Sequence, residues 1–177
     1  MRIQNQFDVP IAPPDAWAFL MNIPATVPCF PGAELVEQVD ENNYKGRVTV
    51  KLGPLTMIFN GKLHIEDPDG AGHTGTVKAS WAEAKGRGNA TTVTRFALRE
   101  HEGGTRVELD TDVQLAGQVA QYGRGAGMIA DISAQLTSKF ADNLRSRLNE
   151  TAIEHGEISG LSLASRALLN RFKRSAE

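Results

Sequence analysis

Alternation of apolar and polar residues over about eighty positions constrains this chain more than any other feature. From Tyr44 to Leu115, apolar side chains recur at every second residue, between turns such as Gly53-Pro54 and Gly103-Gly104. This period places successive side chains on opposite faces of a strand. Most of these strands have one apolar and one polar face, so we expect an antiparallel sheet with one face in water.

The residues before and after this region predict a first strand and two helical elements. Residues 3–9 alternate as a strand, and Pro13-Pro14-Asp15 opens a short helix that ends near Asn22. Between Gln118 and about Glu150, apolar residues step by three or four, which predicts one long amphipathic helix. We therefore expect an α+β fold, in which a curved antiparallel sheet of six or seven strands wraps around one long C-terminal helix. Short helices follow the first strand, and space remains between sheet and long helix.

Residues 22–34, here called the arch, connect the short helix to the sheet. Pro24, Pro28 and Pro31 each fix φ and remove a backbone donor, so a long regular helix cannot pass through. The arch is nevertheless too apolar for a solvated loop. We expect it to lie over the mouth of the space between sheet and helix, with Phe30 as an inward-facing plug.

Composition excludes several classes of function. The chain has 177 residues, a net charge of −2 and one cysteine, which suit a single domain without an internal disulfide. The charge gives no reason to expect nucleic acid as a partner. The first eight residues lack an apolar stretch, and no run approaches the ~20 apolar residues of a membrane span. We therefore expect a cytoplasmic protein.

Candidate catalytic groups do not assemble in the sequence. The four histidines lack metal-ligand spacing, and no serine lies in a nucleophile elbow. Glu108, Asp110 and Asp112 alternate on the outer face of a strand, where solvation or neighbouring arginines account for them. Cys29 is either a packed small side chain or a reactive thiol, and no base lies close to it in sequence. We expect no catalytic residue and no metal site.

Inward-facing side chains of the predicted sheet and helix are mostly apolar, as in ligand pockets. Hydroxyls of Thr92, Thr94 and Thr111 would add a few polar groups. The alternative is a dry core filled by the same residues. The residues expected to bind a hydrophobic ligand are Leu20, Phe30, Met57, Phe59, Trp81, Phe96, Tyr122, Met128 and Ile132.

The last residues differ in charge from the rest of the chain. We expect a first domain at 1–150 and a linker with a basic amphipathic helix at 151–177. Basic amphipathic helices suit anionic bilayer surfaces or acidic partners. Packing on its own domain or on another copy is the alternative. The residues expected to dock on a membrane or partner are Leu161, Arg166, Leu168, Leu169, Arg171, Phe172, Lys173 and Arg174.

A series of short motifs resembles one family. The motifs are Pro28-Cys29-Phe30-Pro31-Gly32-Ala33, Tyr44-Lys45-Gly46, Phe59-Asn60-Gly61, Gly86-Arg87-Gly88 and the segment from Gly117 to Gly123. In order and spacing they resemble the CoxG family of CO dehydrogenase subunits, part of the START/Bet v 1-like SRPBCC superfamily. The resemblance covers about residues 1–150.

The resemblance implies a helix-grip fold and a non-catalytic accessory role. Such proteins accompany molybdenum-containing CO dehydrogenases and related hydroxylases, recruit them to the cytoplasmic membrane and handle a lipophilic electron acceptor. The expected ligand is a quinone or similar lipid, with no tightly required cofactor. The expected location is the cytoplasm, with peripheral association at the inner face of the cytoplasmic membrane. The alternatives are a scaffold or maturation factor without ligand, and an enzyme of the cyclase or aromatase kind.

Overall fold

The computed structural model describes residues 1–52, 55–123 and 126–172, with side chains at 1–51, 55–123 and 127–150. The helices are α1 (Pro13–Met21), α2 (Ile23–Thr26) and α3 (Ala126–Phe172), with 3-10 turns at Val27–Cys29 and Gln118–Gly123. The strands are β1 (Arg2–Val9), β2 (Ala33–Gln38), β3 (Asn43–Leu52), β4 (Leu55–Asp69), β5 (Thr74–Glu83), β6 (Gly88–His101) and β7 (Gly104–Gly117).

The strands form one antiparallel sheet in the order β1-β7-β6-β5-β4-β3-β2. This sheet and the long α3 confirm the predicted fold class. Pro13 and Pro14 occupy the first turn of α1, where their missing N–H groups cost no helical bond. The expected turn at Gly53-Pro54 lies outside the described residues.

One end of the space between sheet and α3 is closed by packed side chains, and we call it the closed end. Side chains from β1, α1, the arch, β6, β7 and α3 meet there. Thr105 is fully buried beside them, and its hydroxyl donates to the carbonyl of Ile11 at 2.7 Å. The buried residues of this cluster are Phe7, Val9, Ala16, Cys29, Leu98, Val107, Ala141 and Leu144.

The predicted start of the long helix at Gln118 is wrong. Residues Gln118–Gly123 form a 3-10 turn, and α3 begins at Ala126. Val119 is buried in this turn, and its N–H donates to the carbonyl of Arg87 at 3.1 Å. Glycines weaken a helix, so the contact with the β5–β6 turn decides the conformation here.

The arch is helical in its first part, in contrast to an extended strap. Asn22 caps α2 by accepting from the N–H of Ala25 at 3.3 Å. The N–H of Phe30 closes the following turn by donating to the carbonyl of Val27 at 2.9 Å. On α3, Asn143 Nδ2 donates to the carbonyl of Cys29 at 2.9 Å, so the arch is attached to the long helix.

The outer face of the sheet is polar, as the alternation predicts. Arg95 pairs with Asp112 at 3.1 Å, and Arg99 pairs with Glu108 at 3.3 Å. Asp110 pairs with Arg2. These pairs confirm that the three acids of β7 belong to a solvated face.

The predicted docking residues Leu161, Arg166, Leu168, Leu169, Arg171 and Phe172 lie in α3 by backbone, and their side chains lie outside the described ones. Lys173 and Arg174 lie outside the described residues altogether. The division of the chain at residue 151 stays a prediction. Among the described residues, no helix is long and apolar enough to cross a membrane.

Candidate ligand-binding site

The inner face of the sheet is only partly buried away from the closed end. The strand registers place alternate residues of β3 to β7 on this face, opposite α3. Among the strands, α3 lies mainly along β1, at one edge of the sheet. Water therefore reaches inward-facing apolar side chains in the middle of the sheet. We call this region the concave surface; its partly buried residues include Val48, Phe59, Leu63, Val77, Trp81, Thr92, Thr94, Thr111 and Val113.

A few polar groups interrupt this apolar surface. The hydroxyls of Thr94 and Thr111 lie 3.0 Å apart on neighbouring strands and share a hydrogen bond. At the β1 edge, Asn5 Nδ2 donates to Ser133 Oγ of α3 at 2.7 Å. Few polar groups on a mostly apolar concave surface are typical of small-molecule sites.

Three predicted ligand residues lie together on β4 and β5. Met57 is buried, whereas Phe59 and Trp81 are partly buried. Trp81 pairs with Gly61 across the two strands, and its ring lies over that glycine. A Cβ at Gly61 would overlap the ring, so the glycine permits the Trp81 side chain to lie along the sheet.

Leu20, Phe30 and Phe96 lie at the closed end, against the buried cluster. The rings of Phe30 and Phe140 are 5.9 Å apart, and Phe96 stacks on Trp17 at 5.7 Å. Contacts of this kind anchor α1, the arch and α3 to one another. These three residues therefore form the wall of the closed end.

Tyr122, Ile132 and Met128 come from the opposite end of α3 and its preceding turn. Tyr122 and Ile132 are partly buried. Met128 departs from the expected inward position, because it is 47% exposed in the first turn of α3. The later start of the helix shifts the face that this turn presents.

Sequence reasoning missed Glu83, a buried carboxylate on the inner face of β5. Glu83 is 4% exposed and accepts hydrogen bonds from Arg87 Nη2 at 2.6 Å and from the N–H groups of Lys85 and Arg87 at 2.9 and 3.1 Å. The side-chain bond from Arg87 is the main cause that lowers the pKa of Glu83 to about 2. Continuing the alternation of β5 two residues beyond Trp81 would have found it.

Glu83 is a structural anion rather than a base. A carboxylate with a pKa near 2 accepts a proton poorly at neutral pH. Its three donors hold the β5–β6 turn, whose Arg87 carbonyl in turn holds the 3-10 turn before α3. Glu83 therefore shapes this end of the concave surface.

Other candidate chemical groups are equally inert. Cys29 is 2% exposed, and burial raises the pKa of its thiol, so the nucleophilic thiolate is disfavoured. His64 Nδ1 lies 3.0 Å from Asn43 Oδ1 on the outer face. In the part of the chain that the structure describes, no three His, Cys, Asp or Glu side chains are grouped to hold a metal ion.

Comparison with known proteins identifies the family. The sequence pattern of CoxG, the G-type subunit of carbon monoxide dehydrogenase, matches residues 6–149, which include β2 to β7, the arch and the first half of α3. The chain belongs to the CoxG family. No curated protein matches this CoxG-family chain.

Solved structures show that the CoxG-family chain has a START/Bet v 1-like helix-grip fold. A conserved protein from Geobacillus kaustophilus has a TM-score of 0.72 at 16% identity, over 85% of this chain and 97% of its own. Protein Ms6760 from Mycobacterium smegmatis has a TM-score of 0.60 at 18% identity, over 85% and 92%. The ZhuI aromatase/cyclase from Streptomyces sp. R1128 has a TM-score of 0.57 at 11% identity, over 82% and 94%.

Proposed function

We propose that this CoxG-family protein is a non-catalytic accessory protein of a molybdenum CO dehydrogenase-type oxidoreductase. It binds a hydrophobic ligand, a quinone or similar lipid, on the concave surface. The observation that carries the proposal is the incomplete burial of inward-facing apolar side chains across the middle of the sheet. Family membership supports the association with CO dehydrogenase.

Hydrophobic burial supplies the driving force for such a ligand. Covering roughly 400 Å² of an apolar chain at about 25 cal/mol per Å² yields on the order of 10 kcal/mol before binding costs. The same ligand would cover protein surface such as Val77 and Val113, now reached by water. The Thr94–Thr111 hydroxyl pair offers hydrogen bonds to a ligand carbonyl or hydroxyl.

Catalysis by the chain itself lacks support in the chemistry of the site. Glu83 is held ionised by three donors, and Cys29 is buried as a thiol. A cyclase or aromatase would need an accessible acid or base beside the bound ligand. The described inward-facing residues of β3 to β7 supply threonine hydroxyls and the saturated Glu83 in that place.

The membrane part of the proposal rests on the C-terminal sequence. Arg166, Arg171, Lys173 and Arg174 are basic, with apolar Leu168 among them. A segment of this composition binds the anionic inner face of the cytoplasmic membrane. The tail would bring the protein and its oxidoreductase to the membrane that holds the lipophilic ligand.

Extraction of the purified protein with organic solvent, followed by mass spectrometry, tests for the ligand. Val113→Glu places a carboxylate on the concave surface, whereas Gln114→Glu places one on the outer face of the same strand. We expect a co-purifying lipid or quinone with the parent protein and the Gln114 variant, and its loss from the Val113 variant. Equal amounts in the two folded variants, or no lipid in any extract, would contradict the proposed site.

Sedimentation with phosphatidylglycerol vesicles tests the membrane role separately. We expect binding to the vesicles to be lost when residues 156–177 are deleted, with the circular dichroism of the sheet unchanged. Unchanged sedimentation of the truncated protein would count against a membrane role for the tail. The ligand proposal would stand, because its site lies in the remaining residues.

A further inference from the structure

A groove crosses the outer face of the sheet, on the side away from α3. It has a volume of about 490 Å³ and runs across β3, β4, β5 and β6. Two parallel rows of outward side chains form its walls, and the residues between them form its floor. One wall includes Lys45, Lys62 and Ser80, and the other includes Asn43, His64 and Lys78.

Positive charge in and beside the outer groove exceeds the negative charge available to pair with it. Three cations have acidic partners: Lys45–Glu37 at 2.6 Å, Lys78–Glu66 at 2.7 Å and Arg47–Glu34 at 3.5 Å. Lys62 is exposed and, among the residues that the structure describes, has no hydrogen-bond or ion-pair partner. One positive charge therefore remains without a counterion at the middle of this surface.

The position of Lys62 is unfavourable for the isolated protein. It lies directly opposite Lys45 in the β3–β4 register, and the next strand places Lys78 diagonally from it. Like charges directly opposite each other in an antiparallel pair destabilise the sheet. A bound anion between these side chains would turn the repulsion into attraction.

The shape of the groove suits an extended polypeptide. The two walls are two residues apart along each strand, about 7 Å, which admits one chain. Four strands at about 4.8 Å spacing give a floor of roughly 14 Å, the length of about four extended residues. Val39, 51% exposed, lies at the β3 end of the groove, and Val36 of the edge strand β2 is 61% exposed.

We propose that the outer groove binds an acidic, extended segment of a partner protein. Carboxylates of the segment pair with Lys62 and its neighbours Lys45 and Lys78, and an apolar side chain contacts Val39. Charge complementarity selects the segment, and the exposed valine favours a polypeptide over a free anion. The inference does not depend on the proposed ligand, because the groove and the concave surface lie on opposite faces of the sheet.

Amide chemical shifts of the full chain, titrated with a synthetic peptide of four glutamates around one valine, test the proposal. We expect shifts confined to β3, β4 and β5 around Lys62. Lys62→Gln should weaken the affinity about three-fold or more, the loss of one exposed ion pair. Lys139→Gln removes an exposed lysine of α3 and should leave the affinity unchanged.

Lys62→Glu gives a second, opposed readout. The new carboxylate would face Lys45, so thermal stability should rise while peptide binding is lost. A lysine that serves only solubility would show no such trade. The proposal is overturned by shifts elsewhere or absent, by equal effects of the Lys62 and Lys139 variants, or by Lys62→Gln weakening sedimentation with phosphatidylglycerol vesicles but not peptide binding.

Discussion

Two leucine truncations distinguish a packed core from an open concave surface. Leu98 of β6 and Leu63 of β4 both lie on the inner face of a strand. Leu98 is 4% exposed within the closed-end cluster, whereas Leu63 is partly buried on the concave surface. Because both residues are in strands, a change to alanine costs a similar loss of strand propensity. The difference between the two variants therefore reports packing.

The magnitudes follow from the burial. Leu98→Ala removes three buried carbon groups at about 0.8 kcal/mol each and leaves a cavity, for a total of about 3.5 kcal/mol. Leu63→Ala removes the same groups from a place that water already reaches, so no closed cavity forms. We expect Leu63→Ala to cost about 2 kcal/mol at most.

Urea unfolding followed by circular dichroism measures both values. With a slope of about 2 kcal/mol per molar, the midpoint should fall by roughly 1.7 M for Leu98→Ala and by about 1 M or less for Leu63→Ala. Equal losses of about 3.5 kcal/mol would refute the reasoning. Such a result would mean that the concave surface is a dry core, without space for a ligand.

Three further outcomes are expected. The pKa of Glu83 is about 2 against an ordinary 4.5, so its ionised form stabilises the fold above pH 4.5 and loses that contribution as the pH falls towards 2. Glu83→Gln should therefore lower stability at neutral pH and flatten the acid decline in urea titrations; an unchanged slope would contradict this. Gly61→Ala should cost about 1–3 kcal/mol by thermal unfolding, because its Cβ overlaps Trp81 and the Ser80 carbonyl, and a smaller cost would show that the ring moves freely. Iodoacetamide should label Cys29 only as urea unfolds the protein, because the thiol is buried and its pKa raised, whereas rapid native labelling would identify an accessible thiolate.

Sequence periodicity predicted the strands well where one face is apolar and the other polar. The alternation from Tyr44 to Leu115 contains β3 to β7, and their wet outer face is confirmed. β2 was not placed, because Val36 is exposed and a bulge between Leu35 and Glu37 breaks the alternation. The helix start was misplaced because periodicity cannot register the bond from Val119 to the Arg87 carbonyl.

The candidate site was predicted less completely than the fold. Phe59 and Trp81 lie on the concave surface as expected, since strand alternation fixes the face of each side chain. Phe30 and Phe96 lie at the closed end instead, because their partners Phe140 and Trp17 come from distant parts of the chain. Contacts between distant segments are invisible to a local period.

The sequence by itself determined which residues face inward, because a strand's two-residue period is a local property of the backbone. It also determined the family, through short motifs in a fixed order. Only the tertiary structure decided how deeply each inward face is covered, since that depends on where α3 and the arch lie over the sheet. It likewise placed Lys62 opposite Lys45, because the register between β3 and β4 brings together residues seventeen positions apart.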